Sequence, residues 1–364
     1  MKALGLMSGT SVDAVDLVLA ELRPLSPKGV GELRLEWKVL AHKEALFPAE
    51  LRNRIISALK SQASTREITL LHHQLGRFYA EAAAEFEGQA ELAATHGQTI
   101  WHEPPLATFQ IGEPAYLAEA LGVPVVSDFR PSDLALGGEA APLVPYPDLL
   151  LYGEEGVKRA IHNIGGISNL TYLPGIKPEG VLAFDTGPGN ALLDETAARL
   201  GLTHDTGGRI AASGRSDAAL LERWLTHPYF SRQPPKSTGR EVWNLEAMDE
   251  DTALPPQNLL ATLSEFTARS IALAYQKFVL PLGLDEVWVA GGGAYNHTLM
   301  RQIRTALPVP VYTFEERGHD SKVREALAFA VLGYLRWLEL PNVLKQVTGA
   351  KKNAIAGKVT LPAR

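Results

Sequence analysis

Residues 5–16 read GLMSGTSVDAVD, which sets a Gly/Ser/Thr turn and two carboxylates, Asp13 and Asp16, behind a short apolar run. Leu4 and Leu6 predict a strand into the turn, and 17–20 predict a strand out of it. Such a turn aims backbone N–H groups and hydroxyls at one anion. Carboxylates beside it suit a hydrated Mg²⁺. The chemistry would be a phosphate site on a β-hairpin; a polar hairpin with solvated aspartates would have the same composition.

A second such unit follows. Residues 159–162 predict a strand, Gly165, Gly166, Ile167, Ser168 and Asn169 a turn, and 170–173 a return strand. Next, the strand expected over 181–184 delivers Asp185 into the loop DTGPGN at 185–190, ahead of a helix expected over 190–200. A carboxylate at a strand end in a pocket suits a general base, while a helix N-cap is its ordinary structural use. The strand expected over 285–290 runs into Gly291, Gly292 and Gly293, which let the backbone pass close to a flat ligand such as a purine.

The run from His96 to His102, HGQTIWH, combines polar side chains with an indole, a mixture suited to a sugar or to a plain structural loop. Arg130, near Asp128, suits a substrate carboxylate in a forked geometry, or a surface ion pair. Lys236 to Arg240, KSTGR, reads as a basic loop that reaches a phosphate or acidic substrate, or is simply solvated.

Positioning these residues requires strands alternating with helices. Strands are expected over 33–42, over 91–95 and 107–111 around a loop at 96–101, over 123–126 and over 309–314; helices over 49–60, 67–87, 114–121, 215–226, 257–280, 296–306 and 324–338. A Gly/Pro-rich loop is expected over 131–147, with the domain crossover near it. The pattern is α/β, with 364 residues sufficient for two domains, 1–135 and 136–364, the final helices free to pack back on the first.

Composition excludes much else. There is no cysteine, hence no disulfide, thiol catalysis or thiolate metal site. Net charge is −6, which gives no broad basic surface for nucleic acid. No apolar run of about 18 residues predicts a membrane span, and the N-terminus lacks a signal-peptide core, so the expected location is cytoplasmic. Walker A, G-x-G-x-x-G, H-E-x-x-H and G-x-S-x-G patterns are absent.

Taken in order, GLMSGTSVDAVD (5–16), HGQTIWHEP (96–104), the run from 111 to 130, ALGG (135–138), APLVP (141–145), NIGGISNL (163–170), DTGPGN (185–190), PKSTGRE (235–241), AGGG (290–293), EALAFA (325–330) and VTGA (347–350) resemble the anhydro-N-acetylmuramic acid kinases, within the sugar kinase/actin/heat-shock ATPase superfamily. The resemblance implies a two-domain actin-like (ribonuclease H-like) α/β fold with an interdomain nucleotide cleft. It implies ATP and Mg²⁺ as cofactors, a small sugar substrate, a homodimer, and a place in peptidoglycan recycling. Gly9, Thr10, Ser11, Val12, Asp13, Ala14, Val15 and Asp16 would hold ATP, with Asp13 and Asp16 biasing the metal. Gly165, Gly166, Ser168 and Asn169 would face them, and Gly291, Gly292 and Gly293 would lie on the adenosine. His96, Gln98, Thr99, Asp128 and Arg130 would hold the sugar, Asp185 would be the base, and Glu325 a second catalytic group. Two positions depart from the family pattern: Ala14, where Gly is usual and a positive φ would strain Ala, and Val242-Trp243 in place of an aromatic pair.

Overall fold

The computed structural model describes residues 1–9, 12–25, 33–248 and 254–363. The chain forms two compact units, Met1–Tyr152 with Lys322–Arg364, and Gly153–Ser321. The crossover expected near 135 therefore falls at 152, and the C-terminal segment belongs to the first unit.

In unit one, β1 (Lys2–Met7), β2 (Ala14–Pro24) and β3 (Leu35–Leu46) form an antiparallel meander, and β4 (Leu92–Thr95) lies parallel to β1 on its other side. β5 (Gln98–Glu103) and β6 (Ala107–Ile111) make a separate hairpin, and β7 (Val125–Ser127) continues the main sheet parallel to β4. The loop expected over 96–101 is thus half strand: Trp101 pairs with Phe109 and His102 with Thr108. α1 (Ala49–Leu59), α2 (Thr65–Ala83) and α3 (Pro114–Leu121) cover one side. α2 begins at a capping box, Ser64 with Glu67, and buries Leu71, Leu75, Tyr79 and Ala82 at helical spacing. The region expected as a loop over 131–147 holds α4 (Arg130–Ala135) and the start of α5 (Pro145–Tyr152). Pro131 and Pro145 stand in first turns, where the missing N–H has no helical partner to lose.

Unit two repeats the scheme. β8 (Arg159–Ile164), β9 (Ile167–Leu173) and β10 (Leu182–Pro188) form the meander, β11 (Glu286–Ala290) lies parallel to β8, and β12 (Val311–Thr313) parallel to β11. Helices α6 (Ala191–Ala198), α7 (Arg209–Ser213), α8 (Ala218–Leu225), α9 (Pro256–Ala274) and α10 (His297–Ala306) pack around this sheet and one another. The strand orders are β13-β7-β4-β1-β2-β3, with β13 at Lys358–Thr360, and β10-β9-β8-β11-β12, so both units place the fourth core strand parallel beside the first.

The chain returns to unit one through α11 (Arg324–Trp337), followed by α12 (Lys345–Thr348) and the edge strand β13 (Lys358–Thr360). Small residues explain where α11 docks. A Cβ on Gly5 of β1 would stand 1.9 Å from the Ala326 carbonyl oxygen, and one on Gly333 would stand 2.4 Å from Ala94 Cβ of β4. Backbone and helix approach so closely that α11 buries Ala326 through Leu335 entirely. β1 and β4, covered on both faces, are accordingly near-continuous apolar runs.

Trp243 answers one departure from the family pattern. It is fully buried and stacks on Phe230 at 5.5 Å and 27°, within a cluster containing Trp224, Phe266 and Leu263. The indole is core packing here.

Candidate functional site

In open sheets of this kind ligands gather beyond the carboxyl ends of parallel strands. In unit one those ends are Ser8 after β1, His96 after β4 and Asp128 after β7; in unit two they are Gly165 after β8 and Gly291 after β11. Among the described residues, Asp13, His96, Asp128, Gly165, Gly166 and Gly291 lie at such an end or on the turn that follows it.

The β1–β2 turn is partly described, since Thr10 and Ser11 lie outside the described residues. A Cβ on Gly9 would meet nothing within 4 Å, so open space faces the turn there. Val12, not Ala14, carries the unusual backbone: its φ is 55°, in the left-handed region that a β-branched residue rarely enters, while Ala14 opens β2 and is not among the residues at positive φ. Val12 is held there by its N–H to the Gly9 carbonyl (3.2 Å), by Arg52 Nε donating to its carbonyl (2.9 Å) and by burial of its side chain; Val15 is also buried, in the same core.

Asp13 and Asp16 part company. Asp13 is exposed and pairs with Arg52 of α1 at 3.2 Å; Asp16 is half-buried and meets His42 of β3 at 3.0 Å. Burial raises the Asp16 carboxyl from its ordinary value, with His42 opposing and Glu44 adding to the rise. Glu325 of α11 lies near enough to Asp16 to be raised by it. The two aspartates thus do not converge as one donor pair, and among the described residues no three acidic or imidazole groups cluster around a cation.

His96 is buried, its ring tilted at 47° against that of Phe329 with centroids 4.9 Å apart. Arg130 donates from both Nε (3.2 Å) and Nη2 (3.0 Å) to His96 Nε2, which fixes that nitrogen as acceptor and leaves the proton on Nδ1. The Nδ1 edge faces the Ser8 and Gly97 backbone without closing a hydrogen bond to either. Burial, reinforced by Arg130, holds the imidazole neutral, and burial pulls Arg130 itself down to about 10. Gln98 is buried too: its amide reaches the carbonyls of Gly9 (3.4 Å) and Thr99 (3.3 Å), while Oε1 has no partner. A buried imidazole donor and a buried amide acceptor, both without a protein partner, are what a polyhydroxylated ligand would complete. A cavity of about 440 Å³ is lined by His96, Asp128, Thr108, Gln110 and Lys358. Asp128 sits at φ 54° and ion-pairs with Lys358 of β13, a cation that no motif at the site signals. Gln98, Thr99 and Arg130 do not line that cavity.

Glu325 follows Arg324, whose guanidinium is bidentate on Asp148 at 3.0 and 2.5 Å, both groups buried. Burial, with Asp148 and Asp16, raises the Glu325 carboxyl against the opposing pull of Arg324 and Arg130.

In unit two the second turn is locked to the loop that follows Asp185. Gly189 and Ala191 donate to the Gly166 carbonyl (3.0 and 3.1 Å), and Asn190 donates to that of Gly165 (2.8 Å). A Cβ on Gly189 would stand 2.3 Å from the Gly165 oxygen. Gly291, at φ 83°, lies against Asn163 and the Ile164 carbonyl, so the triple glycine joins the same end. Arg240 lies over Gly166, which brings a guanidinium to the turn. Register places Asn163, Asn169 and Asp185 side by side on β8, β9 and β10, a polar row in which Asn163 went unmarked.

Ser168 turns the other way. Its hydroxyl is buried between His162 Nε2 (2.7 Å) and the Thr186 hydroxyl (2.8 Å), so it serves the core and not the turn. Tyr275 completes this network at His162 Nδ1 (3.1 Å), and burial pulls His162 from 6.5 to about 3. The unfolded chain therefore takes up a proton that the folded chain refuses, and stability should fall as pH drops from about 6.5 toward 3. Denaturant midpoints measured across that range should show a flatter pH slope in His162→Gln; an unchanged slope would refute the assignment.

Asp185 is not in a loop after its strand but within β10, at a bulge between Asp185 and Gly187. A bulge re-aims a side chain out of the ladder. Its N–H donates to the Lys236 carbonyl (3.1 Å), its carbonyl accepts the Tyr229 hydroxyl (2.6 Å), and its Oδ2 accepts the Thr238 N–H (2.9 Å). The KSTGR segment thus reaches Asp185 through its backbone, a role its basic character did not signal.

Two copies of one five-strand topology, each with a polar turn after its first strand, define a protein of the sugar kinase/actin/heat-shock ATPase class. A curated relative from Cyanothece named anhydro-N-acetylmuramic acid kinase is 41% identical over 383 residues, covering 99% of each chain. Another of that name, from Bacillus cereus, is 38% identical over 388 residues, covering 100% of each. Among solved structures, the activator of the 2-hydroxyisocaproyl-CoA dehydratase from Clostridium difficile aligns with 93% of this chain and 96% of its own, at 12% identity and TM-score 0.44. The family model for anhydro-N-acetylmuramic acid kinase matches residues 1–362, and the chain belongs to that family of sugar kinases. Among the described residues no helix is long and apolar enough to cross a membrane.

Proposed function

We propose that the protein hydrolytically opens 1,6-anhydro-N-acetylmuramic acid and transfers the γ-phosphoryl group of ATP to its 6-oxygen, giving N-acetylmuramic acid 6-phosphate and ADP in the cytoplasm, as a step of peptidoglycan recycling. The observation that carries this reading is Asp185, a carboxylate re-aimed by a bulge and held at its N–H, its carbonyl and one carboxylate oxygen. An anhydro sugar has no free 6-hydroxyl. Water attacks the anomeric carbon, the bond from that carbon to the 6-oxygen breaks, and the 6-oxygen forms its bond to the γ-phosphorus as ADP leaves. Asp185 takes the proton from the water.

The turn at 9–16 and the turn at Gly165 and Gly166 serve the phosphates, Arg240 supplies a cation at the second, and 291–293 lie on the adenosine. Asn169, beside Asp185, remains a polar contact of that turn; Ser168 drops out because its hydroxyl is committed to the core. His96 and Gln98, with their unpaired polar atoms, are the strongest sugar contacts; Asp128, Thr99 and Arg130 support them. Glu325, a carboxyl held up by burial, acts on the sugar or the water. Asp16 alone, not paired with Asp13, suits a Mg²⁺ whose other ligands are waters and phosphate oxygens. When bound, that ion would neutralise charge on the phosphates.

Reaction in water enriched in heavy oxygen tests the coupling. The product should carry label on its anomeric oxygen. Product phosphorylated without label would instead show an ordinary kinase acting on a free hydroxyl.

A further inference from the structure

Lys236 is only 5% exposed, which is unusual for a lysine in a loop. Its ammonium faces three aromatic rings, Tyr229 at 4.6 Å, Phe278 at 4.9 Å and Phe184 at 5.6 Å, and donates to the Tyr229 carbonyl at 3.3 Å. Rings around a cation repay part of its lost hydration. A methionine would fill the same space without desolvating a charge, so packing alone does not account for a lysine here.

The cage is built on the elements that hold Asp185. Phe184 precedes Asp185 on β10, and Tyr229 gives its ring to Lys236 and its hydroxyl to the Asp185 carbonyl. The Lys236 carbonyl takes the Asp185 N–H, and two residues on the Thr238 N–H meets Oδ2. Fixing the Lys236 side chain thus fixes the two backbone groups that orient the carboxylate.

We propose that Lys236 is a positioning residue: its caged ammonium pins the KSTGR segment so that Asp185 presents its carboxylate in one orientation. This rests on Asp185 being the base. The charged groups facing the cage are Asp185 on β10, Arg232 beyond the Tyr229 turn, and Lys277 beside Phe278. Burial, then Lys277 and Arg232, draw Lys236 down to about 8, with Asp185 pulling the other way. The grip should therefore weaken above that pH.

Lys236→Met in the full chain is the test. Misplacing a reacting group by about 1 Å costs up to about 100-fold, so kcat should fall by about tenfold or more, with KM for ATP and sugar nearly unchanged. The alkaline decline near pH 8 should vanish from its kcat profile. Added to Asp185→Asn, the change should cause no further loss, because both act through one carboxylate. Wild-type kcat in Lys236→Met, or losses that multiply in the double variant, would overturn the proposal while leaving the base intact. Near-normal turnover in Asp185→Asn alone would remove the base reading and this one with it. Should Lys236→Met fail to fold, Phe278→Leu keeps the charge and opens one wall. Its kcat should fall several-fold and its alkaline decline should move upward in pH as the ammonium regains water; an unchanged profile overturns the proposal.

Discussion

Asp185→Asn should bind ATP and sugar as the wild type does and turn over at least ~100-fold more slowly, the scale expected when a general base is lost. Asparagine keeps the shape, and its carbonyl oxygen can still accept the Thr238 N–H at the Oδ2 position, where the two atoms now stand 2.9 Å apart. The backbone bonds to Lys236 and Tyr229 do not involve the side chain at all. Folding and ground-state binding are therefore spared, and the loss falls on kcat with KM for ATP within about threefold. Steady-state kinetics with a thermal melt separates the two effects. Turnover near the wild-type rate in a folded variant would reject Asp185 as the base. Asp185→Glu adds a methylene and cannot keep the Thr238 bond in place, so it too should be slow although its basicity is intact.

Arg324→Met should lower stability by about 3–5 kcal/mol, the cost of leaving one member of a buried ion pair without its partner. Asp148 is fully buried and Arg324 is 3% exposed, and their bidentate contact ties α5 to the start of α11. The loss should appear as a lower urea midpoint. Replacing both partners, Asp148→Leu with Arg324→Met, removes the stranded carboxylate and should recover most of the stability. If the double variant is as unstable as the single, the stranded charge is not the cause. The same double variant alters two of the charges next to Glu325, so it also reports on that group: with Glu325 active in the reaction, its kcat should change its pH dependence while KM for ATP does not.

Local pattern made much of this legible in advance. The hairpin over β1 and β2 follows from an apolar run broken by Gly, Ser and Thr. α2 follows from the helical spacing of Leu71, Leu75 and Phe78, and the second hairpin from the Gly165-Gly166 turn. Boundaries went astray where strand and loop share a composition. DTGP extends β10 because it pairs with β9, and QTIWHE is a strand because ATFQI lies opposite it. Neither pairing is encoded within its own segment.

The order of motifs, by itself, determined the family and the repeated strand–turn–strand plan, since those depend on residue types at short spacing. Only the tertiary structure decided which atoms the motifs present. Ser168 belongs to the core because His162 and Thr186 meet its hydroxyl. Asp13 and Asp16 separate because Arg52 and His42 draw them to different elements. Positive φ fell on Val12 because the Gly9 carbonyl and Arg52 hold its backbone there. Asp185 is gripped by residues about fifty positions further on. Each case includes at least one partner from a separate element, and its arrival depends on register and close packing, which composition at the site does not contain.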